Sequence, residues 1–168
     1  MRKSGLIFFL AFVVPIGFAL WWWGTFADAR IEIVERGPYR YAYGVYSGDY
    51  SKIPRWKAEV TQALNAQKIT RGTPVTALLD DPRRTAVPER RVEIGYLIAA
   101  DARVAAPLRV GEIPRRRVVL VRVEASPLMA PGKAYAALIE YAATNNIVFR
   151  LPTFELYRDG VLEVEMAL

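Results

Sequence analysis

The chain has 168 residues, carries 23 Lys and Arg against 17 Asp and Glu for a formal charge of +6, and contains neither cysteine nor histidine. Those two absences exclude thiol nucleophiles, disulfides, imidazole acid–base catalysis and most zinc or copper centres. Any chemistry must run on carboxylates, tyrosines, lysines or backbone groups, and no cofactor is expected.

In chain order, the first element is an uninterrupted apolar run from Leu6 to Trp23. As a helix, its length of about 27 Å at ~1.5 Å per residue approaches the ~30 Å hydrocarbon core of a bilayer. Arg2 and Lys3 precede it, and Trp21, Trp22 and Trp23 fall at its exit, where indole rings favour the headgroup layer. The positive-inside bias then keeps the N-terminus cytoplasmic. A cleaved signal peptide is the rival reading, because Ala27-Asp28-Ala29 has the small-x-small form of a cleavage site. The run exceeds the usual h-region of ~7–15 residues, which favours an anchor. The expected organisation is a membrane anchor over 1–29, with a single transmembrane helix at about 6–23, and one domain over 30–168 on the extracytoplasmic (periplasmic) side. Arginines cluster at Arg83-Arg84, Arg90-Arg91 and Arg115-Arg116-Arg117. They read as solvated faces or as contacts to anionic headgroups, and no nucleic-acid motif accompanies them.

Within the domain, residues 31–35 alternate as a short strand closed by Gly37-Pro38. Tyr39 to Tyr46 forms a second strand, with Tyr39, Tyr41, Tyr43 and Val45 on one half-exposed face. A helix is predicted from Ser51, as N-cap, to about Gln67, with Ile53, Trp56, Val60 and Leu64 as its core stripe. Strands follow at about 74–79 and 91–99. The second half repeats this plan: a strand at 117–124, a helix at about 131–144, and strands near 153–157 and 161–167 joined by the Arg158-Asp159-Gly160 turn. The predicted helix carries Tyr135, Leu138, Ile139 and Ala142 on one face. The predicted fold is therefore α+β, a duplicated β-α-β-β unit forming an antiparallel sheet with two helices on one face. The opposite face is expected to curve into a groove between the halves and to hold the ligand.

Four stretches carry a family resemblance: G-V-Y-S-G-D-Y-S-K-I-P-R-W (44–56), P-V-T-A-L-L-D-D-P with V-P-E-R-R-V-E-I-G-Y (74–96), G-E-I-P-R-R-R-V-V-L-V (111–121) and L-P-T-F-E-L-Y (151–157). In this order they resemble GyrI-like domains, small-molecule-binding modules also found as effector domains of multidrug-responsive regulators. The membrane-anchored members, among them an animal receptor for autophagy of the endoplasmic reticulum, are similar in plan. The resemblance implies an acidic residue on the strand at 153–157 facing an aromatic-lined pocket, and Glu155 occupies that position. A carboxylate beside aromatic faces attracts lipophilic cations through charge and cation–π attraction. Tyr157 shares the strand face, and Tyr46, Trp56 and Tyr96 are further candidate walls. The competing readings are an exposed Glu155 paired with an arginine and a Trp56 that packs the core.

The function these residues imply is a membrane-tethered module that captures a small amphipathic or cationic ligand. A small hydrolase using Glu155, with Tyr157 or Tyr46 as hydrogen-bond donor, is one alternative. A ligand-free scaffold with a protein partner is another. Asp80-Asp81 before Pro82 reads as a turn rather than a metal pair.

Overall fold

A computed structural model of the chain describes residues 9, 11–18 and 28–168. Residues 11–18 are helical and exposed, Phe12, Val14 and Phe18 among them. The remaining positions of the expected anchor, 6–8, 10 and 19–23, lie outside the described residues. No helix among the described residues is long and apolar enough to cross a membrane.

Eight strands form one antiparallel sheet: β1 (Arg30–Arg36), β2 (Tyr39–Ser47), β3 (Pro74–Leu78), β4 (Arg91–Leu97), β5 (Arg109–Ile113), β6 (Arg116–Glu124), β7 (Thr153–Arg158) and β8 (Val161–Ala167). The helices are α1 (Ile53–Ala66) and α2 (Ala130–Thr144). Sheet order is β1-β6-β8-β7-β3-β4-β2-β5. The repeat is explicit in this order. Each β-α-β-β unit gives a three-stranded block, and the blocks meet at the central β3–β7 pair.

Local chemistry accounts for the elements. Asp159 and Gly160 both adopt positive φ, 49° and 82°, so a two-residue turn closes β7 onto β8 with Arg158 opposite Val161. On α1, Trp56, Val60 and Leu64 are buried as the spacing requires. Ser51 does not cap it. Asp49 accepts a hydrogen bond from the Ser51 N–H at 2.9 Å and starts a short 3-10 turn over Tyr50–Lys52, which leads into α1. On α2 the buried residues are Ala130, Ala134, Leu138 and Ala142, a stripe of mostly small side chains. Tyr135 and Ile139 lie beside that stripe rather than in it, and both line a crevice described below.

Both helices lie on one face. The core under α1 contains Ala42, Val92, Ile94 and Tyr96, and the core under α2 contains Val119, Val121, Val123, Leu162, Val164 and Met166. The strand registers place all ten on the same side of the sheet. Because α1 rests on β2 and β4, and α2 on β6 and β8, the central strands β3 and β7 run beneath the gap between the helices.

The opposite face curls. β5 lies where the sequence shows no strand alternation, and it changes the topology. β1 does not pair with β2, the next strand in sequence: β1 joins β6, whereas β2 joins β5. Two short connectors, after Arg36 and after Ile113, thus link strands near opposite edges of the sheet, and those edges must approach each other. They do meet at Gly37, whose φ is +89° and where a Cβ would sit 2.9 Å from the Pro114 carbonyl oxygen. The enclosed face is filled. Tyr41, Phe154 and Leu156 pack there, so the tyrosine face of β2 is not uniformly half-exposed. Beside them, Glu165 and Glu163 collect Arg36, Arg116, Arg122 and Arg158. Burial alone would raise the Glu163 carboxyl, but the hydrogen bond from Arg122 and the charges of Arg36 and Arg158 hold it below the usual range.

Candidate functional site

Along β7, side chains alternate between the two faces. Phe154 and Leu156 enter the enclosed face, which leaves Thr153, Glu155 and Tyr157 on the helix side. Glu155 pairs in register with Thr76 of β3, so it lies under the gap between the helices.

That gap is a crevice of about 390 Å³. Glu155, Thr153 and Leu78 form its floor, Tyr50 and Ile53 its first-half wall, and Tyr135 and Ile139 of α2 the other. Phe149 and Leu151 also line it. The volume and apolar lining suit a small organic molecule.

Polar groups inside it are ordered. The Tyr135 hydroxyl lies 2.8 Å from Thr153 Oγ1 and also hydrogen-bonds the Glu155 carboxyl. When Glu155 is ionised it can only accept, so Tyr135 then donates to it and is left to accept from Thr153. Burial raises the Glu155 carboxyl above the usual carboxylate range, against the charge of Lys57 and the Tyr135 hydrogen bond, which pull it down. Burial, reinforced by the charge of Glu155, pushes the Tyr135 hydroxyl far above the usual phenol range. The same two causes push Tyr157 up to about 12. The Tyr157 hydroxyl is buried without a hydrogen-bond partner among the described residues, and the Lys57 ammonium sits 5.6 Å over its ring.

The other carboxylates at the crevice are already paired. Asp80 takes both the Nε and Nη2 groups of Arg91 at 3.0 Å, and Asp81 binds Arg83 at 3.0 and 2.8 Å. These hydrogen bonds lower both carboxyls. Asp80-Asp81 therefore anchors a turn. No cluster able to hold a metal ion occurs among the described residues. Glu155 has no salt bridge there, to arginine or lysine within 4.0 Å, and stands as the crevice's unpaired carboxylate.

The structure separates the five candidate residues. Glu155 is on the floor, and Tyr157 continues its strand face. Tyr46, Trp56 and Tyr96 belong to the packed core between α1 and the sheet and do not line the crevice. Tyr46 stacks on Trp56 with centroids 5.1 Å apart, and the hydroxyl of Tyr96 meets Thr61 Oγ1 at 2.9 Å. The aromatic walls are instead Tyr50, Tyr135 and Phe149. Tyr135 carried a signal, since a hydroxyl on a core-facing helix stripe needs a buried partner. Tyr50 and Phe149 lie outside regular strands and the two long helices, where periodicity says nothing.

No protein-family model and no curated protein matches the chain. Several solved structures do share its fold. The C-terminal domain of EcmrR superposes with a TM-score of 0.70 at 15% identity, covering 83% of this chain and 96% of that one. In an EcmrR–DNA complex the likeness spans 57% of that chain, so this chain corresponds to little more than half of it. An integron cassette protein from the mobile metagenome of Vibrio cholerae gives 0.59 at 12% identity, over 84% of this chain and 97% of that one. SAV2435, solved bound to tetraphenylphosphonium, gives 0.58 at 12% identity, over 82% and 93%. These likenesses support the GyrI-like fold.

Proposed function

We propose that the chain is a small-molecule-binding module whose crevice captures lipophilic cations, held at a membrane by its N-terminal segment. One observation carries the binding reading: the unpaired Glu155 carboxylate on the floor of an aromatic, apolar crevice. Such a carboxylate attracts a cation that brings its own apolar surface to cover the site, and the surrounding rings add cation–π attraction. The tetraphenylphosphonium bound to SAV2435, a protein of the same fold, is a ligand of this chemistry.

The full chain in detergent micelles is expected to bind tetraphenylphosphonium saturably, and Glu155→Gln should weaken that binding about tenfold or more. Affinity should rise with pH as Glu155 loses its proton, with a midpoint above the ordinary glutamate value of about 4.3. Equilibrium dialysis across a pH series measures both. Binding that is equal in wild type and E155Q would show that the cation sits elsewhere.

The tether rests on the apolar run at Leu6–Trp23 and on the exposed apolar side chains of residues 11–18. With Arg2 and Lys3 held inside, the domain lies on the extracytoplasmic side. Alkaline phosphatase fused after Leu168 should be active in a bacterial host, and an inactive fusion would reverse the orientation.

A further inference from the structure

Three aromatic rings in or beside the crevice already face a cation of the chain itself. Arg83 lies 5.8 Å over Phe149, Arg90 6.0 Å over Tyr50 and Lys57 5.6 Å over Tyr157. The two arginines are tethered. Arg83 is held by Asp81, and Arg90 donates to the Thr85 and Pro82 carbonyl oxygens at 3.0 and 2.6 Å. Lys57 differs: among the described residues its ammonium makes no hydrogen bond and no salt bridge. It projects from α1 one turn after Ile53, a wall of the crevice, and its charge acts on Glu155. Its ring partner Tyr157 is the next residue of β7 on Glu155's face.

We propose that Lys57 is a resident cation that sets the specificity of the crevice: its ammonium stands in beside Glu155 and Tyr157, and an incoming ligand cation replaces it. The inference rests on the crevice being the binding site proposed above. An ammonium on a flexible four-carbon stem is well suited to this role, because it can withdraw into water at little cost. It partly neutralises Glu155, which disfavours weak or strongly hydrated cations. Only a ligand that also fills the apolar walls gains enough to displace it. A neutral ligand has nothing to exchange with Lys57 and gains little from its removal.

Lys57→Met and Lys57→Gln in the full chain, in detergent micelles, test this with tetraphenylphosphonium and the neutral triphenylphosphine oxide as probes. Removing the ammonium should tighten tetraphenylphosphonium about tenfold. It should leave triphenylphosphine oxide within about threefold, and Lys57→Arg, which keeps the charge, should stay near wild type. Equal or weaker tetraphenylphosphonium binding in both K57M and K57Q, with binding still weakened in E155Q, overturns the role of Lys57 and leaves the site intact. Absence of Glu155-dependent binding in wild type and K57M alike overturns both the site and the role. Melting curves on each variant confirm that it is folded.

Discussion

Glu165→Ala should destabilise the chain by about 3–5 kcal/mol, the cost of leaving buried charge unpaired. Glu165 is completely buried on the enclosed face of the sheet. Its carboxylate accepts from Arg36 Nε at 2.8 Å, Arg116 Nη2 at 3.0 Å and the Tyr39 hydroxyl at 3.0 Å. The two guanidinium side chains are only 16% and 15% exposed. Arg36 would keep Glu163 as a partner. Arg116 would keep no carboxylate among the described residues, only the Phe154 ring 4.9 Å away, and its Nη1 already lacks a hydrogen-bond partner. Since a domain's total stability is about 5–15 kcal/mol, this loss is a large share of it. The midpoint of thermal unfolding should fall by about 10 °C or more. The control is Glu35→Ala, which breaks an ion pair with Arg115 whose side chains are 61% and 70% exposed. Screened by water, that pair is worth at most about 1 kcal/mol. Thermal melts followed by circular dichroism compare the two, and equal shifts would show that the enclosed face is wetter than its packing implies.

The elements were legible in the sequence because their signals are local. Val119, Val121 and Val123 alternate, Ile53, Trp56, Val60 and Leu64 repeat at helical spacing, and Asp159-Gly160 marks a turn. The duplicated plan followed from the order of those elements. β5 was illegible because R-V-G-E-I is short and its glycine interrupts the alternation. Missing it hid the exchange of edge strands, and with it the curl that encloses Arg36, Arg116, Glu163 and Glu165. The face opposite the helices therefore reads from the sequence as open, whereas it is packed with side chains. Glu155 was reached through family resemblance, since one acidic residue in a strand has no periodicity of its own. Its environment depends on three segments far apart in sequence. Tyr50 precedes α1, Tyr135 is set on the flank of α2 by the alanines that occupy its core stripe, and Phe149 follows α2. Tyr46 and Tyr96 share a face with Glu155, but α1 covers them, and Trp56 is a core residue of α1 itself. Strand alternation assigns a side chain to a face and leaves open which helix lies over it.

Gly132→Phe should weaken ligand binding at least about tenfold while leaving the fold as stable as before, or more so. Gly132 is the third residue of α2 and lines the crevice. A Cβ at this position meets nothing within 4 Å, and its φ needs no glycine. In a helix, glycine costs about 1 kcal/mol relative to alanine, so a side chain here removes a penalty. A benzyl group at this position takes up space in the crevice while Glu155, Tyr135 and Lys57 are all retained. Tetraphenylphosphonium affinity should fall at least about tenfold, and triphenylphosphine oxide should be lost with it. E155Q, by contrast, should weaken the cation and spare the neutral probe. The pair of variants thus separates shape from charge at one site. If G132F binds tetraphenylphosphonium as wild type does and its melt is unchanged, the ligand does not enter between the helices. The attraction of Glu155 would then act from outside the crevice, where water screens a single charge and the aromatic walls add nothing. Loss of both probes in G132F places the cation in the gap between the helices, where desolvation strengthens the pull of that one carboxylate.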